Sequence, residues 1–186
     1  MIHELMRGRV SMQEGTGHMD LILVALGANL PSRHGSPRQS LEAAYLRLEE
    51  LGLRITARSR FWLTEPVPVS DQPWFHNAVC AVETNLPAPE LLALLHRVED
   101  EFGRVRSEVN APRVLDLDLL AYGRQIIASD QGLVVPHPRL AERAFVLFPL
   151  QDIAPDWVHP ASGEGLAAMI ARIPPGQQAQ AEDDIF

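Results

Sequence analysis

The apolar positions of the chain alternate between two rhythms. Leu21 to Leu26 is a short continuous apolar run ending in Gly27-Ala28-Asn29, the pattern of a buried strand entering a turn. Ser36-Pro37 then opens a helix, with serine as its cap and proline at its first position. Leu41, Ala44, Tyr45, Leu48 and Leu51 follow at helical spacing, and Gly52 stops them. Leu53 to Trp62 reads as a strand, Thr64 to Pro73 as a proline-rich loop and Phe75 to Thr84 as another strand. Ala88 to Phe102 is a second amphipathic helix, ended by Gly103. An arginine-bearing stretch, Arg104 to Arg113, leads into a strand from Val114 to Tyr122. Leu133 to Val135 is a short strand, Pro136-His137-Pro138 a rigid turn, and Ala141–Leu150 and Gly165–Ile173 are helical.

The order β-α-β-β-α-β with helical extensions predicts an α+β fold of ferredoxin-like type. It is a single domain, an antiparallel sheet with helices packed on one face. Residues 1–19 and 174–186 lack periodicity and read as a disordered extension and tail, leaving 20–173 as the domain.

Composition narrows the chemistry. No apolar run approaches the ~18 residues of a membrane span, and the first twenty residues hold no apolar block of the signal-peptide kind. Cytoplasm is the default compartment. A single cysteine, Cys80, excludes an internal disulfide framework and a multi-thiolate zinc site, and reads as a small core residue. A net charge of −8 argues against general nucleic-acid binding. All 16 basic residues are arginine, so a Walker-type phosphate loop, a Schiff-base lysine and a kinase strand lysine are excluded. Any anionic ligand must be held by arginine, histidine, backbone amides or a metal.

Leu115-Asp116-Leu117-Asp118-Leu119 is the sharpest local signal. Strand side chains alternate faces, so Asp116 and Asp118 share one while the leucines take the other. Two like charges on one face of an apolar strand repel, and desolvation worsens the conflict. A divalent cation removes it, and hard oxygen ligands suit magnesium, which also accepts phosphate oxygens. The alternative is a solvated outer face of an edge strand. Arg104, Arg106 and Arg113 precede this strand, and Arg143 follows His137. Metal-held carboxylates beside arginine forks are what polyphosphate chemistry needs. His137, held between prolines, can donate a hydrogen bond to a phosphate. Phe75 and Asn77 lie two residues apart on one strand face, a ring and an amide for a flat heteroaromatic ligand. Phe145 could supply the opposite ring face. Each phenylalanine alone is equally readable as core.

Six segments together resemble the 6-hydroxymethyl-7,8-dihydropterin pyrophosphokinase family of folate biosynthesis. They are Leu26-Gly27-Ala28-Asn29-Leu30, Thr64-Glu65-Pro66, Gln72 to Val79, Gly103-Arg104-Val105-Arg106, Pro112-Arg113-Val114-Leu115-Asp116-Leu117-Asp118 and Val135 to Arg139. The resemblance implies a monomeric cytoplasmic enzyme that moves the terminal pyrophosphoryl group of ATP to the pterin's hydroxymethyl oxygen, with two magnesium ions. It implies that Asp116 and Asp118 hold the metal, and that Asp118, Arg104 and Arg113 are catalytic. Glu99, Arg104, Arg106, His137 and Arg143 correspond to ATP contacts, and Thr64, Val67, Phe75, Asn77 and Phe145 to the pterin pocket. The chain departs from the pattern at Val109-Asn110-Ala111, where many members carry a basic residue and a tryptophan before Gly-Pro-Arg.

Two other readings are weaker. A nucleotide-sugar transferase built on a DxD pair would usually place it after a Rossmann-like half, which this chain lacks. A ferredoxin-like regulatory module would not need two strand aspartates facing arginines.

Overall fold

Ile22–Ala28 forms the central strand β1, and the helix α1, Pro37–Glu50, follows it. The computed structural model describes residues 20–104, 111–129 and 132–182. The expected start of α1 is realised in full. The Ser36 hydroxyl accepts the Gln39 N–H, and the Gln39 side chain accepts the Ser36 N–H at 2.8 Å, a closed capping box ahead of Pro37. Leu41, Ala44, Tyr45 and Leu48 are all buried against the sheet.

The strand expected over Leu53–Trp62 is two strands, β2 (Arg54–Arg58) and β3 (Trp62–Thr64), both paired antiparallel to β4 (Phe75–Glu83). Arg58 pairs with Cys80 but Trp62 pairs with Asn77, so this side runs one residue longer than β4 and the ladder must break. Ser59 fills the break: its N–H donates to the Val79 carbonyl and its hydroxyl accepts the Val79 N–H, each at 2.9 Å.

The helix α2 (Ala88–Glu101) leads through the arginine stretch to β5 (Asp116–Tyr122). The sheet order is β5-β1-β4, with β2 and β3 end to end along the other side of β4. After it come the short pair β6 (Ile127–Ala128) and β7 (Val134–Val135), a single 3₁₀ turn at Leu140–Glu142, and the helices α3 (Ala144–Ile153) and α4 (Leu166–Ala171).

Two expectations are corrected. Helices cover both faces of the sheet, not one. The first face carries Val24, Leu26, Cys80 and Leu117 against α1 and α2, with the buried Cys80 thiol pushed up to about 12. The second carries Leu23, Val79, Ala81 and Leu120 against α3, α4 and the fully buried Trp157. A strand apolar on every residue, as β1 is, buries both its faces. The second correction concerns the tail. Ala179–Ala181 forms a strand, β8, that pairs antiparallel with β3, so residues 174–182 belong to the fold. The expected extension over residues 1–19 and the last four residues of the tail lie outside the described residues.

Ser36→Ala removes one half of the capping box and should cost about 1 kcal/mol of stability. Urea denaturation checks this; a loss of only a few tenths would mean that Pro37 and Gln39 hold the helix end without the hydroxyl.

Candidate active site

α3 and α4 cover only half of the second sheet face. The other half is left open by the register of three strands. Asp116 of β5 is opposite Gly27 of β1, which is opposite Asn77 of β4; in the next row Asp118 is opposite Ala25 and Val79. The alternation of β5 therefore turns both aspartates to this face, while Leu115, Leu117 and Leu119 enter the first core.

A cavity of about 500 Å³ opens here, and Thr64, Val67, Phe75, Asn77, Arg113, Asp116, Arg143 and Phe145 line it. Eight side chains singled out from the sequence thus converge on one space. Thr64 and Asn77 are nearly buried and joined, the Asn77 amide donating to the Thr64 hydroxyl at 2.7 Å. Gly27 makes room for that amide: a Cβ there would stand 2.8 Å from Asn77 Oδ1. Asn29 is also buried. It donates to the Pro73 carbonyl at 3.0 Å and accepts the Arg113 N–H at 2.8 Å, tying the end of β1 to the approaches of β4 and β5.

The acidic corner is crowded with arginine. Arg104 holds Asp116 Oδ1 at 2.7 Å and Arg113 bonds Oδ2 of the same carboxylate. Arg143 lies 3.6 Å from Asp118, its guanidinium over the Phe145 ring at 5.3 Å. Its Nε is buried and has no hydrogen-bond partner among the described residues. An unspent buried donor is costly, and an anionic ligand would satisfy it. Burial first, and then repulsion from Asp116, push the Asp118 carboxyl up to about 6 against the pull of the arginines. That conflict is what a cation relieves. No group of three or more His, Cys, Asp or Glu side chains able to hold a metal occurs among the described residues. Two carboxylates alone suit a magnesium ion that keeps waters and completes its shell with phosphate oxygens.

The remaining residues fall elsewhere. Glu99 has a fully buried side chain; it accepts the Leu117 N–H at 2.7 Å and bonds Arg104, which in turn holds Asp116. His137 lies at the outer edge of β5, where its N–H donates to the Leu120 carbonyl at 2.8 Å. Its Nδ1 accepts the Arg139 N–H at 3.1 Å, which leaves Nε2 as the protonated nitrogen, a donor to the outside. Arg106 lies outside the described residues, as do Val109 and Asn110; Ala111 lines the cavity. Sequence reasoning assigned no role to Arg139 or Glu142, and read Pro174–Gln177 as tail, yet all of them line the cavity.

Paired carboxylates, guanidiniums around them and two phenyl rings on an α+β scaffold define a transferase that brings a polyphosphate to a flat ring. The family model for 7,8-dihydro-6-hydroxymethylpterin-pyrophosphokinase matches residues 23–155, and the chain belongs to this family. It is 42% identical over 154 residues to a 2-amino-4-hydroxy-6-hydroxymethyldihydropteridine pyrophosphokinase of Pseudomonas aeruginosa, covering 82% of this chain and 91% of that protein. It is 39% identical over 154 residues to the folic acid synthesis protein fol1 of Pneumocystis carinii, covering 83% of this chain but only 20% of that longer protein. In fold it resembles the crystal structure of wild-type Plasmodium falciparum HPPK-DHPS, with a TM-score of 0.61 at 13% identity over 81% of this chain and 40% of that one. The chain is a pyrophosphokinase of folate biosynthesis.

Burial first, and then Arg143 and Arg139, hold His137 down to about 4, below its unfolded value near 6.5. The unfolded chain therefore takes up this proton first as pH falls. The contribution of neutral His137 is complete above about pH 6.5 and is lost as pH falls through about 4. Wild type should accordingly lose more stability than His137→Gln between pH 7 and 4. Parallel urea-denaturation profiles for the two proteins would refute this.

Proposed function

We propose that this chain transfers the β,γ-pyrophosphoryl group of ATP to the hydroxymethyl oxygen of 6-hydroxymethyl-7,8-dihydropterin. The hydroxyl oxygen forms a bond to the β-phosphorus, the bond from that phosphorus to the α,β-bridging oxygen breaks, AMP leaves and the hydroxyl proton is released. The observation that carries this reading is the shared cavity: Asp116, Arg113 and Arg143 line the same space as Phe75, Phe145 and the Asn77–Thr64 pair, and Asp118 and Arg104 stand behind it, paired with Arg143 and Asp116.

The pterin ring packs between Phe75 and Phe145, with Val67 and Thr64 at its border, and Asn77 reads its polar edge. Asp116 and Asp118 would hold magnesium, two ions with the nucleotide, and the metal would supply charge neutralisation at the phosphates. Asp118 also orients the attacking hydroxyl. Arg104 and Arg113, which pair with Asp116, stabilise the polyphosphate as its charge shifts in the transition state. Arg143 and His137 Nε2 grip phosphate oxygens, Arg106 joins them, and Glu99 holds Arg104 from beneath. The enzyme works as a cytoplasmic monomer without nucleic acid. A net charge of −8 supports the last point, and no described helix is long and apolar enough to cross a membrane.

Titration calorimetry with a non-hydrolysable ATP analogue should give binding that requires magnesium, and pterin should then bind more tightly with nucleotide than without it. Nucleotide binding indifferent to magnesium would overturn the role of the aspartates. Asp116→Ala and Asp118→Ala should each lower turnover at least roughly 100-fold while the fold persists, since the metal-bound phosphate charge is then uncompensated. Activity above about one hundredth of wild type in both would contradict the assignment. Gly27→Ala places a methyl group against Asn77 Oδ1 and displaces the amide from Thr64. The loss of one such bond should weaken pterin binding up to about tenfold and leave magnesium-nucleotide affinity nearly unchanged. Equal losses for both ligands would argue against Asn77 as a ring reader.

A further inference from the structure

The stretch from Pro174 to Glu182 leaves α4, crosses the mouth of the cavity and ends on the far edge of the sheet. Its last part is an anchor. Ala179 pairs with Thr64, Gln180 with Leu63 and Ala181 with Trp62, and the flanking Glu65 and Glu182 N–H groups donate to the Gln178 and Phe61 carbonyls at 3.1 and 2.8 Å. The Glu182 carboxylate adds contacts to Arg38 at 3.2 Å and to His76 Nδ1 at 2.7 Å. Its first part is different. Pro174, Pro175, Gly176 and Gln177 line the cavity, and Gly176 takes a φ of +91°, a left-handed turn that aims the next side chain back toward α3.

That next side chain is Gln177. Its Nε2 donates to the Glu142 carbonyl at 2.8 Å, and its Oε1 accepts the Ala144 N–H at 2.9 Å. One amide thus bonds the backbone on both sides of Arg143. Both bonds fill a gap that the local sequence leaves. The N–H at the start of a helix has no partner within the helix, and the residue preceding α3, Arg143, supplies no side-chain cap. Arg143 itself sits in extended backbone between the 3₁₀ turn and α3, at φ −109° and ψ 109°; its N–H donates to the Leu140 carbonyl at 3.4 Å and its carbonyl accepts the Val146 and Leu147 N–H groups at 3.0 Å, while Gln177 holds the peptide groups on either side.

We infer that Gln177 is a positioning residue of the reaction: it fixes the backbone that carries Arg143 and Phe145, so that the guanidinium faces Asp118 and the phenyl ring faces the cavity. This rests on the roles proposed above for Arg143 and Phe145. It goes beyond them in making the segment after α4 part of the active site, although the family match ends at residue 155. The anchor matters for the same reason. β8 pairs with β3 through Thr64, which holds Asn77, so one segment braces the cavity at both Thr64 and Arg143.

The test is a double-mutant cycle on the full chain with Gln177→Ala, Arg143→Ala and the pair, read as kcat and KM for ATP and pterin. A displaced reacting group commonly costs on the order of 10²-fold, so Gln177→Ala should lower kcat/KM by roughly 10- to 100-fold. If Gln177 acts through Arg143, it should cost far less in the Arg143→Ala background than alone. Gln177→Met keeps length and packing and removes both hydrogen bonds. It should match Gln177→Ala, and it carries the cycle if Gln177→Ala does not fold. Additive losses, or a Gln177→Met enzyme with wild-type kinetics, would overturn the positioning role while Arg143→Ala alone still shows whether Arg143 matters. An unimpaired Arg143→Ala enzyme would overturn the reading of Arg143, and the inference with it.

Discussion

Asp116 and Asp118 cannot both be comfortable on one face of an apolar strand, and much of the structure around them is a response to that. Each oxygen of Asp116 is taken by a guanidinium, and burial with repulsion from Asp116 pushes the Asp118 carboxyl up to about 6. Removing either arginine would leave a partly buried charge short of a partner, the more expensive side of an ion pair. The arginines serve Asp116 as counter-ions. Glu99 makes the arrangement firm, because it holds Arg104 from below and the Leu117 N–H between the two aspartates at once. A buried acid on the apolar stripe of α2 thus couples helix, arginine and acidic strand.

Sheet register links this corner to the Asn77–Thr64 side of the cavity. Asp116, Gly27, Asn77 and Trp62 form one row across four strands. A glycine at the second place is what keeps the row open, since any side chain there would meet the Asn77 amide. The Asp116 carboxylate and the Asn77 amide are therefore separated by one strand width on each side of β1, roughly 5 Å per step. A one-residue slip of β5 would turn both aspartates into the core, so the register that buries Leu117 and Leu119 also places the acids.

The parts legible in the sequence were those where a residue contradicts its surroundings. Two aspartates between leucines break an apolar strand, and a serine-proline pair announces a helix start; both were found where expected. The helices on the second face were signalled too, by the unbroken apolar run of β1, but the one-face expectation passed over it. Glu99 had the same kind of signal, lying four residues after Leu95 on the buried stripe of α2. The split of Leu53–Trp62 into β2 and β3 depends on pairing with β4, which no local pattern reports. Gln177 is the extreme case: a polar residue in a polar run has no local signature, and only its two backbone partners, more than thirty positions earlier, give it meaning.

Those partners also bear on how the sheet ends. An unpaired edge strand invites pairing with other chains, and proteins commonly cover it. Here two segments near the cavity lie along the sheet edges, one beyond β5 and one beyond β3, while β2 pairs only with β4. Beyond β5, the backbone of His137 takes the Leu120 carbonyl, and the same turn presents the Nε2–H outward. Beyond β3, β8 takes the free ladder, and the residues leading into it carry Gln177 to Arg143. Both segments hold a basic side chain beside the acidic strand, His137 through its own backbone and Arg143 through the backbone on either side of it. Protecting the sheet and shaping the active site are then one structural requirement, so damage to either edge should reach the chemistry before it reaches the core.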